Sequence, residues 1–314
     1  MTKYLSVSRL PIFFTCPYCS PQLNLKLKAS KKELLCPSCR RRYLIKNNIV
    51  QFVIDKDLDR ETKRELKGNS FSLSKKNIEH YANKDIWSDY YNHFVNQKFS
   101  YLVAFLNSIP LKGIISLGSG PGFELKEILK RKRINLIFSS DLALSATSVV
   151  PTTLNNYNTS LCLFTSDLNF VPIIPNSSLP ILIYEALHHT KDIHKTIEGL
   201  LQRGYKNILF VEPTTNFVIK ILARFNLAQR VEYSGIRPDF LDINRLKKLS
   251  KKYEYKLKIR TLWDIPEDFI RVICKKGSPL EPLLLKLIDL ISKTGNLFQF
   301  GSFAIVSLER KGGV

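Results

Sequence analysis

The chain has 314 residues, 44% hydrophobic and 24% charged, a globular composition with length enough for one large or two modest domains. Lys and Arg number 48 against 27 Asp and Glu, a formal net charge of +21. No apolar run approaches the roughly 18 residues a membrane-spanning helix needs. The N-terminus also lacks a signal-peptide layout, so the expected compartment is the cytoplasm.

In chain order, the first feature is a pair of knuckles, Cys16-Pro17-Tyr18-Cys19 and Cys36-Pro37-Ser38-Cys39, with sixteen residues between them. Two Cys-x-x-Cys turns at this separation can bring four thiolates to one tetrahedral centre, which suits Zn²⁺. Four protein ligands leave no open position, so the site is expected to be structural rather than catalytic. Leu23, Leu25 and Leu27 alternate as in a hairpin strand between the knuckles. Cys162 and Cys274 fall in apolar segments and read as packing thiols. A small zinc-ribbon domain is expected over residues 1–55.

Residues 56–110 are expected to form a linker and N-terminal helices. Asp55 to Lys76 is highly charged and then serine-rich, and carries at most one helix. Further on, Trp87, Tyr90, Tyr91 and Phe94 have the spacing of a helix packed on the domain that follows.

From Leu111 strands and helices alternate. Strands are expected at Gly113–Leu117, Asn135–Ser140, Ser160–Phe164, Leu179–Tyr184 and Asn207–Val211, with helices at Phe123–Arg131 and Asp192–Gln202. A helix at Ile243–Lys252, a strand at Lys256–Leu262, a leucine-rich helix from about Leu280 to Ser292 and a last strand at Ser302–Leu308 complete the chain. Such alternation predicts an α/β fold with a largely parallel sheet, whose ligands bind beyond the C-terminal strand ends. The first strand runs into Gly118-Ser119-Gly120-Pro121-Gly122, a turn that lets a ligand lie against main-chain N–H groups at a helix N-terminus. Asp141 ends the second strand, and Asp167-Leu168 follow the third. A carboxylate at the first position can accept ribose hydroxyls, and acceptors at the second can take an exocyclic amine. A nicotinamide dinucleotide is disfavoured, because its Gly-x-Gly-x-x-Gly fingerprint needs a glycine where Phe123 stands.

Taken together, Gly118 to Gly122, Asp141-Leu142, Ser166-Asp167-Leu168, Leu187-His188-His189 and Phe210-Val211-Glu212-Pro213 resemble the class I S-adenosylmethionine (SAM)-dependent methyltransferases, especially the UbiE/type-11 group. The resemblance covers Leu111 to about Pro213. The two knuckles with the apolar tail to Val53 resemble Trm112-like zinc ribbons. The resemblance implies a Rossmann-like seven-stranded sheet over residues 111–314, with a lid-like insertion at about 213–300. It also implies a SAM site at Gly118, Ser119, Gly120, Gly122, Asp141, Leu142, Asp167, Leu168 and Glu185. His188 and His189, at the tail of the fourth strand, are the candidates for deprotonating or orienting an acceptor. The family usually has an acid two residues before the first glycine, and this chain has Ser116. Glu124 is one candidate to replace it.

The acceptor stays open. Phe217, Leu222, Phe225 and the Leu283–Ile291 stretch are spaced for amphipathic helices that could roof a pocket for a small or lipid-linked acceptor, or touch a membrane. RNA is the alternative, supported by the net charge and by ribbon-bearing ribosomal RNA methyltransferases, though the basic residues are dispersed. A non-catalytic SAM-binding scaffold is the third reading, motivated by Ser116.

Overall fold

The computed structural model describes residues 3–19, 24–28, 30, 32–54, 57–72, 89–175, 179–216, 221, 224, 239–263 and 277–312. Phe217, Leu222, Phe225, Trp87 and Cys274 lie outside them, and so do most of residues 217–238 and all of 264–276.

The centre of the molecule is a parallel sheet of five strands: β6 (Ile114–Leu117), β7 (Leu136–Asp141), β8 (Ser160–Thr165), β9 (Ile181–Tyr184) and β10 (Asn207–Pro213). They lie in the spatial order β8-β7-β6-β9-β10. Their residues are buried almost throughout, as expected of strands covered on both faces. β12 (Phe303–Arg310) pairs antiparallel to β10, and β11 (Tyr255–Leu262) closes that edge against β12. These seven strands form the Rossmann-like sheet that the sequence implies. The chain moves outward from β6 to β7 and β8, then returns to the other side of β6 to form β9. Strand order therefore reverses between β6 and β9, where a crevice opens at the C-terminal ends.

At the other edge the cysteine-bearing segment is continuous with this sheet. β5 (Ile49–Gln51) pairs in parallel with β8, and β4 (Arg42–Lys46), β3 (Glu33–Leu35) and β2 (Lys26–Leu27) extend it as a meander. β1 (Lys3–Tyr4) also pairs with β8, at its start. Aromatic rings bind the two parts. Phe14 lies 5.3 Å from Phe164, and Phe13 lies 4.9 Å from Phe138, between centroids.

Helices cover both faces. α1 (Arg60–Ser72) lies in the segment read as a linker and reaches the C-terminal strand ends. α2 (Asp89–Asn107) buries Phe94, Phe99, Leu102 and Leu106 against one face of the sheet. α3 (Phe123–Leu129) follows the glycine turn, and α4 (Leu144–Thr153), a helix with no counterpart in the sequence reading, follows β7. α5 (Ile193–Arg203) starts at Asp192, whose carboxylate accepts the Lys195 N–H at 2.9 Å, and stops at the left-handed Gly204. α6 (Ile243–Lys252) has a similar Asp242 cap.

α7 (Leu280–Leu297) runs further than the sequence reading, which ended it near Ser292. The extra turn is pinned to β11 and the residue after it. Asn296 Oδ1 accepts the Thr261 N–H at 3.0 Å, and Ser292 Oγ accepts that of Trp263 at 3.0 Å.

Candidate active site

The glycine turn is shaped by backbone geometry. Gly118, Gly120 and Gly122 have φ of +64°, +50° and +84°, all in the left-handed region that L side chains avoid. At Gly118 space is also decisive, because a Cβ would lie 2.6 Å from Ala186 Cβ. The turn is then tied to β7. Asp141 accepts the Gly120 N–H on Oδ2 and the Ala143 N–H on Oδ1, both at 2.9 Å. Ser119 Oγ lies 2.5 Å from Ser139 Oγ. Asp141 is buried, which pushes its carboxyl above the usual range, while those two N–H groups act in the opposite direction.

Ser116 occupies the position of the family's acid, and its hydroxyl donates to Glu124 Oε1 at 2.9 Å. A carboxyl is thus present beside the strand end, supplied from the first turn of α3. Burial pushes it up to about 8 despite the Ser116 hydroxyl, so at neutral pH it is largely an uncharged acid. Glu124 is not among the residues that line the crevice.

A cavity of about 260 Å³ fills the crevice. Gly118, Gly120, Asp141, Leu142, Asp167, Leu168, Glu185 and His189 all contribute to its wall, so the structure gathers most of the residues singled out in the sequence. Ser119 and Gly122 support the turn from behind, and His188 is not part of the wall. Asp167 accepts both the N–H and the side-chain amide of Asn169, and burial raises its carboxyl. Glu185 has a left-handed φ of +49° and pairs with the buried Lys98 at 2.6 Å. Burial alone would raise its carboxyl, but the Lys98 ammonium outweighs burial and holds it below the usual range.

The two histidines have different partners. His188 Nδ1 lies 2.8 Å from Glu212 Oε2. Glu212, with 0% exposure, also accepts the N–H groups of Ala186 and Leu187 at 2.8 and 2.7 Å, so it fixes the turn after β9. His189 faces the cavity, and its Nδ1 lies 3.1 Å from Glu65 Oε1 on α1. The sequence reading missed Glu65, and with it Asp59, Glu61 and Thr62, which also line the cavity from the α1 segment. No spacing rule marks them, since they sit in a uniformly charged stretch.

Charge in the cavity runs against that of the chain. Asp59, Glu61, Glu65, Asp141, Asp167 and Glu185 bring six carboxyl groups, against one ammonium, Lys191. A molecule of formal charge +21 thus carries an acidic crevice suited to a cationic ligand.

The four cysteines of the knuckles converge, with their sulfurs all within 4.8 Å of one another. Cys16 Sγ is 3.7 Å from Cys39 Sγ, and Cys36 Sγ is 3.8 Å from Cys19 Sγ. A tetrahedron with metal–sulfur bonds of about 2.3 Å has edges of about 3.8 Å, so the set fits Zn²⁺. Tyr43 OH lies 3.0 Å from Cys16 Sγ, in position to hydrogen-bond a thiolate from outside the ligand shell.

No protein-family model and no curated protein sequence matches this chain. Three solved structures illustrate what it is similar to. Magnesium protoporphyrin IX methyltransferase (ChlM) from Synechocystis PCC 6803, with bound SAH, shares 13% identity over 70% of this chain and 84% of its own, with a TM-score of 0.46. The YcgJ protein from Bacillus subtilis shares 13% over 69% of this chain and 100% of its own, with a TM-score of 0.47. The complex between the Haloferax volcanii Trm112 methyltransferase activator and a methyltransferase shares 11% over 81% of this chain and 99% of that one, with a TM-score of 0.47.

Proposed function

We propose that the chain is a SAM-dependent methyltransferase acting on a small or lipid-linked acceptor, with a structural zinc ribbon at its N-terminus. The observation that carries this reading is the acidic cavity at the strand-order reversal, built on three left-handed glycines and the buried Asp141. SAM supplies a methyl group on a positively charged sulfur. Asp141 retains lone pairs for ribose hydroxyls beyond those used by Gly120 and Ala143. Asp167 and Leu168 provide the acceptor and the apolar face for an adenine. The surplus of carboxylates favours the cationic cofactor over its uncharged-sulfur product, which aids turnover.

Transfer is an in-line displacement. The acceptor's lone pair forms the new bond to the methyl carbon while the carbon–sulfur pair stays on sulfur. The chain's own part is positioning and, for an acceptor that carries a proton, removing it. His189, which lines the cavity with its Nδ1 3.1 Å from Glu65 Oε1, takes that role. His188, fixed by Glu212, positions the turn instead. A small or lipid-linked acceptor suits a cavity walled by α1 and lined with carboxyl groups, which repel nucleic-acid phosphates.

The test is transfer from methyl-labelled SAM to a host extract separated into RNA, protein, organic-soluble and small-molecule fractions. Label in the organic or small-molecule fraction is expected. His189→Ala should lower turnover about 10²–10⁴-fold with SAM affinity kept within about twofold, and Glu65→Gln should lower it less and displace the pH profile. Nuclease-sensitive label would overturn the acceptor class. Cofactor binding without transfer would favour the scaffold, and unchanged turnover in both variants would remove the pair from the mechanism.

A further inference from the structure

α7 presents an apolar stripe to solvent. Leu280, Leu283, Leu287, Leu290, Leu297 and Phe298 are all exposed, with Leu283 at 66%, Leu297 at 80% and Phe298 at 78%. The first four leucines recur at steps of three, four and three, and Leu297 follows two turns after Leu290, so they share one side of a helix about 27 Å long. The opposite face, with Glu281, Ile288, Ser292 and Gly295, is buried against the protein. A contiguous exposed stripe of this size marks an interaction surface.

Charge identifies the partner. Both acids of α7 are committed inward: Glu281 is buried and accepts the Gly277 N–H, and Asp289 binds His93 and Gln97 on α2. The charged residues left beside the stripe are Lys286 and Lys293, both exposed. The edge strand β11, to which α7 is pinned, adds the exposed Lys256, Lys258 and Arg260. A second copy of the chain seated on this stripe would bring lysine against lysine, with no free carboxylate on the helix to pair them. An anionic lipid surface would accept the leucines among its acyl chains and the lysine ammoniums among its headgroups.

We propose that α7 is an interfacial helix that docks the protein on anionic membranes, lying in the surface rather than crossing it. No described helix is long and apolar enough to span a bilayer, which agrees with this mode. The helix is anchored at Thr261 and Trp263, and Leu262 pairs with Phe303, which also pairs with Pro213 at the end of β10. The helix is thus anchored at the end of the sheet where the cavity opens. Vesicle binding requires no turnover, so this inference is separable from the methyltransferase reading.

The experiment is co-sedimentation of the full chain with vesicles of phosphatidylcholine alone or mixed equally with phosphatidylglycerol, alongside sedimentation velocity without lipid. Binding to the mixed vesicles, weakened by added salt, is expected. The variant Leu283→Ser with Leu290→Ser changes only exposed side chains, so it should keep its melting temperature and lose binding at least about tenfold. Lys286→Glu with Lys293→Glu should retain the stripe and lose the preference for anionic lipid. Equal binding to both vesicles, no binding to either, or a dimer that the leucine variant dissociates would each overturn the proposal.

Discussion

Replacing Glu124 with Gln removes one buried proton-binding site and leaves its oxygen acceptor in place. The side chain is 7% exposed in the first turn of α3, and Ser116 Oγ donates to it at 2.9 Å. Burial, reinforced by the neighbouring Asp141 charge, outweighs that hydrogen bond and places the carboxyl at about 8, against an ordinary 4.5. Because the folded value is the higher one, the folded chain keeps a proton that the unfolded chain releases. The stabilisation is complete below about pH 4.5, declines as pH rises, and is lost by the time pH passes about 8. At roughly 1.4 kcal/mol per pH unit, that interval amounts to on the order of 5 kcal/mol. Between pH 6 and 8.5 the native chain should lose roughly 2–3 kcal/mol more stability than Glu124→Gln, read by urea unfolding of the two proteins in parallel. Superimposable pH profiles would mean that Glu124 is ionised in the folded state and that the burial argument fails. The same variant addresses the family's missing acid. Glu124 does not line the cavity, so calorimetric SAM affinity should change by less than about twofold. A loss of about 1–3 kcal/mol would make it a direct partner of the cofactor instead.

Gly118→Ala should weaken SAM binding at least about tenfold with a smaller loss of stability, since it forces a side chain at φ +64° and 2.6 Å from Ala186 Cβ in the wall of the cavity. Unchanged calorimetric affinity would show that the turn does not hold the cofactor. Cys36→Ser should release zinc, measured as metal content per chain, and should also weaken SAM binding and lower the melting temperature of the whole protein. Loss of zinc with both properties unchanged would show that the ribbon and the sheet edge are energetically independent.

Much of the central sheet was legible because its signals are local. Ile114 to Leu117 is a short apolar run broken by alternate glycines, and Asp192 and Gly204 cap α5 at both ends. α4 was not legible. Its sequence, Leu144 to Thr153, is rich in Ser, Thr and Val, lacks an apolar stripe and ends with Pro151 in its last turn, so packing rather than propensity makes the helix. The histidine pair marks the boundary of sequence reasoning most clearly. Adjacent in sequence and equivalent in any motif, His188 and His189 are distinguished only by what the fold brings to them. Glu212 arrives from β10 and takes the first, and Glu65 arrives from α1 and takes the second. Glu65 itself is one charge among many in Asp59 to Lys67, and nothing in that stretch separates it from its neighbours.

The ribbon's place in the sheet explains why a structural metal belongs with this site. β5 ends beside β8, where Thr165 Oγ1 accepts the N–H groups of Phe52 and Val53 at 3.1 and 3.2 Å. The next residues of β8's strand are Ser166 and Asp167, one wall of the cavity. On the other side of the junction the chain leaves β5 for Asp57, which Arg41 of the ribbon grips, and two residues later reaches Asp59 and the helix that carries Glu65. A ribbon of this size gains much of its folding energy from its metal. The ribbon is joined by these contacts to the two segments that flank the cavity, the loop after β8 and the start of α1. The four cysteines thus lie at the β3–β4 turn, beyond β5 from the strand that leads into Asp167, and Arg41 beside them is one ion pair from the segment that enters α1.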